Sequence, residues 1–543
     1  MSSSSICPVC RKEQDSKNTE KIEWINCSIC HNWYHIYCEG LKHSELDKIR
    51  EYHCRKCAKL KGPSLLKRIS SRRHRRINYV ALNEGESPIE VNRHPRTDDF
   101  RDFQNDKPLK EMIYLVDPKV DGNNEGFFTD DCLLNLITKS KFRKPVLVRG
   151  CNPEIPASYD KKVTLSLKLP NLDIDQLAKL IGTDRKVPVM DVLTQNLMRP
   201  RWSMNRWREY FKDEQADRTK ILNILSMEFS DTVLGKYVEI PEVVQKLDIL
   251  TRIFQSQLNE KLSNANITRP EVTKYLLMSA AESFTDFHID FAGTSVYYSI
   301  ISGKKQFILY PPTPTNLSVY SKWCNSDEQS NTWFGDLVPK LSHSLIKKED
   351  LEVTPEYMMN GCKIEINAGD LLLLPSGWIH AVYTPCDSLI IGGNFLNLLS
   401  LDNHIKIFEI EREISVPEKF CFPDLNRMLW IIGLYLIEQE CKIDTTLLQQ
   451  FLSLLEYYRN ILALNPSAKM SVRLTDAFKR LKRSIPTKIV GDPTKFVLRF
   501  QDWMYHGAGF DLRETNKKRH RRKDDQVPKK LRKKNCTTSK PIE

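Results

Sequence analysis

The first sixty residues contain cysteines and a histidine at a spacing that restricts how this segment can fold. Four pairs of metal-ligand residues, each separated by two residues, occur there: Cys7 and Cys10, Cys27 and Cys30, His35 and Cys38, and Cys54 and Cys57. A segment this short buries too little apolar surface to fold unaided, so metal binding must supply folding free energy. Eight ligands are enough for two closed tetrahedral zinc sites.

The ligand order, with histidine in the fifth place, resembles a PHD finger more than a RING finger over Ile6–Lys59. The resemblance implies that the ligands interleave, with one zinc on Cys7, Cys10, His35 and Cys38 and the other on Cys27, Cys30, Cys54 and Cys57. It also implies binding of a histone tail. Trp33 stands where methyl-lysine readers place a cage wall, and Trp24 is a candidate second wall. The alternative is that both tryptophans fill a small core.

The net charge of +13 is concentrated in two runs, Lys59–Ile77 and Lys517–Lys534. Such runs suit non-specific contact with DNA or nuclear import, and solvated tails are the alternative. The other cysteines are scattered, which indicates a reducing compartment rather than a disulfide scaffold. The longest apolar run, Met428–Ile437, is too short to span a bilayer. We therefore expect a nuclear protein without a membrane partner.

A second ligand pattern lies in the middle of the chain, in FTDFHIDFAGTSVYYSIISGKK at Phe284–Lys305. His288 and Asp290 are two residues apart, so on one strand they would point to the same face. A third ligand must come from an adjacent strand, and His380 is the candidate. Two imidazoles and a carboxylate are the ligand set that holds Fe(II) and leaves positions open. Taken alone, each motif is also compatible with an ordinary surface pair or a core histidine.

Lys305 lies on the strand that follows this pattern. A buried lysine needs an anionic partner, and no acidic residue is close to it in the sequence. A dicarboxylate cosubstrate could supply that partner, with Thr285 and Tyr298 donating hydroxyl hydrogen bonds. The alternative is a solvent-facing lysine beside Lys304.

Short runs of β-branched and aromatic residues between tight turns predict a jelly roll. We predict strands over Ser295–Ile301 and Gln306–Tyr310, with Ser302 and Gly303 as the turn between them. Four further predicted strands are Cys362–Ile366, Asp370–Leu374, His380–Thr384 and Ser388–Phe395. Helical periodicity over Leu425–Glu440, Leu447–Leu462 and Val472–Lys482 predicts a helical subdomain.

The stretches FTDFHIDFAGTSVYYSIISGKKQF and PSGWIHAVYTP, followed by IGGNFLN, resemble the JmjC domain of JHDM-type histone lysine demethylases over about Lys186–Asn397. The resemblance implies Fe(II) on His288, Asp290 and His380. It implies 2-oxoglutarate on Thr285, Lys305, Tyr298 and Asn223, and methylated substrate beside Gly392, Gly393 and Asn394. Two departures are mild: Ala292 replaces a usual glycine, and Tyr297 a usual tryptophan.

The fold class that we predict is multidomain α+β, with a two-zinc PHD finger, a double-stranded β-helix (jelly roll) and a carboxy-terminal helical subdomain. The predicted domains are the finger at 1–60, a basic linker at 61–106, the JmjC oxygenase domain at 107–400, the helical subdomain at 401–506 and a basic disordered tail at 507–543.

The implied function is Fe(II)- and 2-oxoglutarate-dependent demethylation of mono- or dimethylated lysine 36 of histone H3, with the H3 tail or the nucleosome as partner. Alternatives are lysine 9 or 27 as the target, a non-catalytic chromatin reader, and a hydroxylase acting on a non-histone protein.

Overall fold

The structure is a computed structural model that describes residues 6–11, 24–41, 49–66, 93–339, 361–439, 445–463, 479 and 481–506. The chain divides into a small amino-terminal unit and a large unit. Several predicted features lie outside the described residues: positions 67–92 of the basic linker, most of the helix Val472–Lys482, and the basic tail with Lys517–Lys534.

The small unit consists of two short antiparallel strand pairs and one helix. Strand β1 (Trp24–Asn26) pairs with β2 (Trp33–His35), and β3 (Ile49–Glu51) pairs with β4 (Leu65–Leu66). Helix α1 spans Arg55–Lys61. The buried residues described in this unit are five metal ligands, two tyrosines and one isoleucine: Cys7, Cys27, Tyr34, His35, Ile36, Tyr52, Cys54 and Cys57. Metal ligands therefore occupy the positions that an apolar core would fill in a larger domain.

The large unit combines one extended sheet and two separate strand pairs with helices. Its strands are β5 (Tyr114–Leu115), β6 (Phe128–Thr129), β7 (Val146–Val148), β8 (Val163–Thr164), β9 (Lys186–Val187), β10 (Met190–Asp191), β11 (Asn196–Leu197), β12 (Trp202–Ser203), β13 (Leu222–Glu228), β14 (Tyr275–Ser279), β15 (Ser283–His288), β16 (Ser295–Tyr310), β17 (Cys362–Asn367), β18 (Leu371–Leu374) and β19 (Ile379–Phe395). Its helices up to the end of the sheet are α2 (Thr97–Asp102), α3 (Leu109–Met112), α4 (Pro118–Asp121), α5 (Asp130–Lys139), α6 (Ile174–Ile181), α7 (Met204–Lys212), α8 (Val233–Tyr237), α9 (Glu242–Leu247), α10 (Ile249–Phe254), α11 (Leu258–Asn264), α12 (Pro314–Cys324) and α13 (Phe334–Leu337). The two separate strand pairs are β6 with β8 and β9 with β12.

Two long antiparallel strands, β16 and β19, form the centre of the jelly roll and pair with each other along their length. The first half of β16 also pairs with β18, and the second half of β19 pairs with β14. The second half of β16 pairs with β17 instead, and the first half of β19 pairs with β15. Each long strand therefore passes from one sheet layer into the other.

The space between the layers is filled by apolar side chains from both halves of the long strands. Tyr298 from the first half of β16 and Phe307 from the second half have ring centroids 5.3 Å apart. Ile364 of β17, Leu372 of β18 and Ile390 of β19 belong to the same buried cluster. This contact between strand halves is the packing expected of a double-stranded β-helix, so the predicted fold class is confirmed.

The predicted turn at Ser302 and Gly303 is wrong, and so is the predicted break between His380–Thr384 and Ser388–Phe395. The two halves form continuous strands, with shifts of register around Ser302–Lys304. Gly303 has a φ of 76°, and the Ser388 hydroxyl accepts a hydrogen bond from the Lys304 N–H. These residues form a bulge, which bends a strand while its pairing continues on both sides.

The carboxy-terminal helices pack into an apolar cluster with helices α10 and α11. They are α14 (Leu401–Glu413), α15 (Leu425–Glu438), α16 (Thr445–Ala463), α17 (Thr487–Val490) and α18 (Pro493–His506). Helix α15 buries residues around most of its circumference, including Trp430 and Leu436. The predicted carboxy-terminal helices are thus present for the part of the chain that the structure describes. None of the helices described combines the length and apolarity that crossing a bilayer requires.

We predict that Gly303→Ala destabilises the protein more than Gly491→Ala does. Both glycines have a φ of 76°, which costs about 1–2 kcal/mol for alanine. A Cβ at Gly303 would also overlap the carbonyl oxygen of Asp387, whereas at Gly491 it would meet open space. We expect a loss of about 3 kcal/mol or more for Gly303→Ala in denaturant unfolding of the full chain. Equal losses for the two variants would contradict the bulge.

Candidate metal centres

The jelly roll brings His288, Asp290 and His380 together. His288 is the last residue of β15 and lies directly opposite His380 of β19 in the antiparallel register. Their imidazole centroids are 4.2 Å apart, and the Oδ2 atom of Asp290 is 3.7 Å from the Nε2 atom of His380. One ligand atom from each residue lies within 4.8 Å of the others. We predicted His288 and Asp290 on one strand, but β15 ends at His288. Asp290 reaches the site from the segment that follows the strand.

Backbone carbonyls fix the orientation of both imidazoles. His288 Nδ1 lies 2.8 Å from the carbonyl oxygen of Asp286, and His380 Nδ1 lies 3.0 Å from that of Trp378. A carbonyl oxygen only accepts, so each Nδ1 carries a proton, and the lone pair of the neutral ring is then on Nε2. The Nε2 atom of His380 is buried and has no hydrogen-bond partner among the described residues. This is the arrangement that metal-binding histidines adopt.

Burial also sets the protonation of these ligands. It lowers the pKa of the His380 imidazole well below its usual range, and the neighbouring His288 lowers it further. The neutral imidazole that results is the form that binds metal. Burial raises the pKa of the Asp290 carboxyl, against the effects of His288 and a hydrogen bond from Asn394. A divalent cation would compensate the anionic form of Asp290 that burial disfavours.

Lys305 is buried, which excludes the solvent-facing alternative. The neighbouring Lys304 is half-exposed and forms an ion pair, with its Nζ 3.6 Å from Glu365 Oε1. The Lys305 ammonium donates to the hydroxyl of Ser279 at 2.6 Å, and that hydroxyl donates to Asn223 Oδ1 at 2.7 Å. Among the described residues, no carboxylate lies within ion-pairing distance of Lys305. Burial lowers its pKa to about 7.

The other residues assigned to 2-oxoglutarate lie on the same strands. Thr285 is half-buried on β15, and Tyr298 is buried on β16. Phe307, two residues beyond Lys305 on a regularly paired stretch, has its ring 5.3 Å from Tyr298 and 6.3 Å from the His380 ring. Since alternate residues of a strand share a face, the Lys305 side chain points to the same side as Phe307.

The residues assigned to substrate have contacts within the protein. Position 393 accommodates only glycine, because a Cβ there would overlap the carbonyl oxygen of Thr273. A Cβ at Gly392 would lie 2.7 Å from the carbonyl oxygen of Tyr297. The side-chain amide of Asn394 donates to Asp290 Oδ1 at 3.3 Å and to Thr294 Oγ1 at 2.8 Å. Asn394 thus contacts a candidate metal ligand, a role that the sequence interpretation did not include.

Ser279 is a site residue that the sequence analysis missed. Its hydroxyl is fully buried and joins Lys305 to Asn223, which are far apart in the chain. A single serine at the end of a strand that the sequence analysis did not predict carries no sequence signal of its own. The contact becomes visible only when strands β13, β14 and β16 are placed in three dimensions.

The finger contains two zinc-binding sites with the interleaved ligand sets: Cys7, Cys10, His35 and Cys38, and Cys27, Cys30, Cys54 and Cys57. His35 Nδ1 lies 3.3 Å from the sulfur of Cys10 and 3.7 Å from that of Cys38, and the sulfurs of Cys30 and Cys54 are 4.0 Å apart. Tetrahedral ligands at about 2.3 Å from a zinc ion lie about 3.8 Å from one another. The spacing of the side chains therefore suits zinc.

The two finger tryptophans have different environments. Trp33 is 45% exposed, so it does not fill a core. Trp24 is half-buried, and its ring lies 4.0 Å from that of the zinc ligand His35. Trp24 is paired with His35 and Asn26 with Trp33, which puts both tryptophans on one face of the hairpin. Ile6 is also exposed.

Comparison with known proteins gives consistent matches for both units. Residues 7–57 match the family described as PHD-finger, and residues 141–396 match the family described as cupin-like domain. A protein of Debaryomyces hansenii named JmjC domain-containing histone demethylation protein 1 is 38% identical over 433 residues, which cover 79% of this chain and 78% of the relative.

Relatives of the same name occur in other yeasts. The Candida albicans protein is 34% identical over 518 residues, covering 92% of this chain and 97% of the relative. The Saccharomyces cerevisiae protein is 30% identical over 488 residues, covering 80% of this chain and 89% of the relative. The similarity therefore extends over the finger, the jelly roll and much of the carboxy-terminal part.

Proposed function

Because the chain belongs to the family of JmjC domain-containing histone demethylation protein 1, we propose that it is an Fe(II)- and 2-oxoglutarate-dependent histone lysine demethylase. The observation that carries the proposal is that the jelly roll holds both an iron-type ligand set and a buried lysine. Two imidazoles and a carboxylate converge, the buried Nε2 atom of His380 has no hydrogen-bond partner, and the Lys305 ammonium has no carboxylate partner among the described residues.

His288, Asp290 and His380 would hold the iron. Three ligands on one face leave positions free for a cosubstrate and dioxygen. Iron, 2-oxoglutarate and dioxygen together supply the oxidising chemistry that hydroxylates an N-methyl group, and the hydroxymethyl product then releases formaldehyde. The chain contributes ligand orientation through the carbonyl oxygens of Asp286 and Trp378.

Lys305 would bind a carboxylate of 2-oxoglutarate, with Thr285, Tyr298 and Asn223 as hydrogen-bonding partners. Ser279 supports this assignment because it holds the ammonium in place through a neutral hydroxyl and leaves its charge uncompensated. An ammonium paired with a carboxylate in a dry site forms a strong charge-assisted hydrogen bond.

For the substrate, we propose mono- or dimethylated lysine 36 of histone H3, on the resemblance described above. Gly392, Gly393 and Asn394 would lie beside it, with Asn394 also orienting Asp290. The finger would bind the H3 tail, with Trp33 and Trp24 facing a methylated lysine. We further propose that the protein acts in the nucleus and that its basic runs contact nucleosomal DNA.

We predict that the full chain, given iron and 2-oxoglutarate, removes one CH2 per methyl group from H3 peptides methylated at lysine 36. His288→Ala should abolish turnover, because the remaining two ligands hold iron poorly. His506→Ala, at an exposed histidine on α18, is the matched control and should retain turnover. Mass spectrometry of the peptides is the measurement.

Other outcomes of that assay separate the alternatives. Loss of CH2 only from peptides methylated at lysine 9 or 27 would show that the protein is a demethylase with a different target lysine. A stable gain of oxygen would identify a hydroxylase, and unchanged peptides would favour a non-catalytic reader. Full turnover by His288→Ala would remove that residue from the iron site.

We predict that 2-oxoglutarate affinity falls as the pH rises above about 7. Burial lowers the pKa of Lys305 to about 7, so the ammonium fraction falls up to about tenfold for each pH unit above it, and binding of the dianion must then take up a proton. Calorimetric titration on both sides of this pH, in buffers of different ionisation enthalpy, measures both effects. An affinity independent of pH over this range would rule out the assignment.

Substitution of the lysine provides the matched comparison for that titration. Lys305→Met should weaken 2-oxoglutarate binding by about a hundredfold or more, because it removes the cation from a buried pair. Lys304→Met, at the neighbouring half-exposed lysine, should leave the affinity unchanged. Similar losses in the two variants would mean that Lys305 has no specific role.

We predict that Trp33→Ala weakens binding of a methylated H3 peptide to the finger by about threefold to thirtyfold, the range of a cation–π contact. Tyr37→Ala is the control, since Tyr37 is an exposed aromatic residue of the same finger without an assigned role. Fluorescence polarisation of a labelled peptide is the measurement. Unchanged affinity of the Trp33→Ala variant would show that this residue takes no part in reading.

A further inference from the structure

The turn that follows Asp290 adopts a backbone conformation that needs support. Ala292 has a φ of 51° and Gly293 a φ of 59°, both in the left-handed region. This conformation costs an alanine about 1–2 kcal/mol, whereas glycine adopts it freely. A strained residue persists only where its surroundings hold it in place. Since Asp290 directly precedes this turn, whatever holds Ala292 also fixes the approach of the carboxylate.

Helix α14 supplies partners for both polar backbone groups of Ala292. The Glu411 carboxylate accepts a hydrogen bond from the Ala292 N–H at 2.6 Å. The His404 ring accepts from the Asn397 N–H at its Nε2 atom, so its Nδ1 carries the proton and donates to the Ala292 carbonyl oxygen at 3.1 Å. Positions 404 and 411 are seven residues apart and lie on one face of the helix.

The same helix also holds the loop that leads to His380. The side-chain amide of Asn403 donates to the carbonyl oxygen of Ser376 at 3.2 Å. The Ser376 hydroxyl in turn donates to the carbonyl oxygen of Gly293. The loop before His380 and the turn after Asp290 are therefore joined to each other and to one helix.

Glu411 occupies this position at an energetic cost. Among the described residues, no cationic side chain lies within ion-pairing distance of its carboxylate. Burial raises the pKa of its carboxyl to about 7, and only the Ala292 N–H opposes the shift. A glutamine or an apolar residue would avoid that cost if the position served packing alone. Packing against the turn is already provided by Ile407, which lies 2.8 Å from the position of a Cβ at Gly293.

We propose that helix α14 is the positioning element of the metal centre, with Glu411 as the residue that fixes the turn carrying Asp290 and Asn403 as the residue that fixes the loop leading to His380. This rests on the proposed function only in taking these residues as metal ligands. Neither Glu411 nor Asn403 contacts the ligands themselves, so their effect is transmitted through Ala292 and Ser376.

The experiment measures metal affinity and turn protection in the full chain, not turnover. Mn(II), an oxygen- and nitrogen-preferring stand-in for Fe(II), is titrated into the metal-free jelly-roll site and followed by the resonance signal of the free ion. Glu411→Ala should weaken Mn(II) binding by about tenfold or more, as losses of supporting hydrogen bonds at metal sites do. Glu411→Gln, which keeps an acceptor oxygen, should stay within about threefold of the parent.

Two further variants complete the comparison. Glu409→Ala removes an exposed carboxylate from the same helix and should leave Mn(II) affinity unchanged. Asn403→Ala tests the second loop without altering Glu411 and should also weaken binding. Without metal, hydrogen exchange of the peptide around Ala292 should accelerate in Glu411→Ala and not in Glu409→Ala.

The outcomes separate this proposal from the proposed function. Unchanged Mn(II) affinity in folded Glu411→Ala or, should that variant not fold, in folded Asn403→Ala overturns the positioning role. Equal losses in Glu409→Ala and Glu411→Ala also overturn it. A parent protein that binds Mn(II) with the predicted variant pattern but does not demethylate H3 overturns the function and leaves the positioning role. A parent protein that binds no Mn(II) at this site overturns both.

Discussion

The pairing of β16 with β19 is the constraint on which the rest of the large unit depends. Each of these strands belongs to both layers of the jelly roll, so the register set in one layer determines the register in the other. A slip of one residue would move every side chain of a strand to the opposite face. The packing of residues such as Ile390 between the layers therefore also determines which face His380 occupies. The metal centre is positioned by the apolar core, and not only by its own hydrogen bonds.

The two kinds of metal site differ in whether their ligands form part of the folded core. In the finger, ligands such as Cys7 and Cys27 are themselves the buried residues, so zinc binding and core formation are one event. In the jelly roll, the apolar clusters are complete without His288 and Asp290, whose side chains are only half-buried. In the proposed function, a metal ion there would compensate the charge and accept the lone pairs of these residues on a scaffold that packing already defines. Closed ligand sets suit a structural role, and an incomplete set on a rigid scaffold suits chemistry.

Local features of the chain were predictable, and contacts between distant segments were not. The ligand pairs of the finger and the His288–Asp290 pair could be recognised because the paired residues are close in the sequence. The sequence predicts a turn at Gly303 where the structure has a bulge, because a glycine with positive φ occurs in both and only the partner strand distinguishes them. Ser279 and Glu411 carry no local signal, since their roles depend on residues that packing brings next to them from other parts of the chain. The resemblance implies only a substrate role for Asn394. Its hydrogen bond to Asp290 can be seen only once the fold brings the two residues together.

Charge balance explains why the site has the composition it does. Asp290 contributes one negative charge and Lys305 one positive charge to the same interior, and no ion pair joins them in the part of the chain that the structure describes. Left alone, each charge pays its own desolvation cost, which is why burial shifts their pKa values in opposite directions. In the proposed complex, a divalent cation beside Asp290 and a dianion between that cation and Lys305 bring the total to zero. The proposed complex then needs two neutral histidines, because a third anionic ligand or a protonated imidazole would leave an uncompensated charge in a largely buried site.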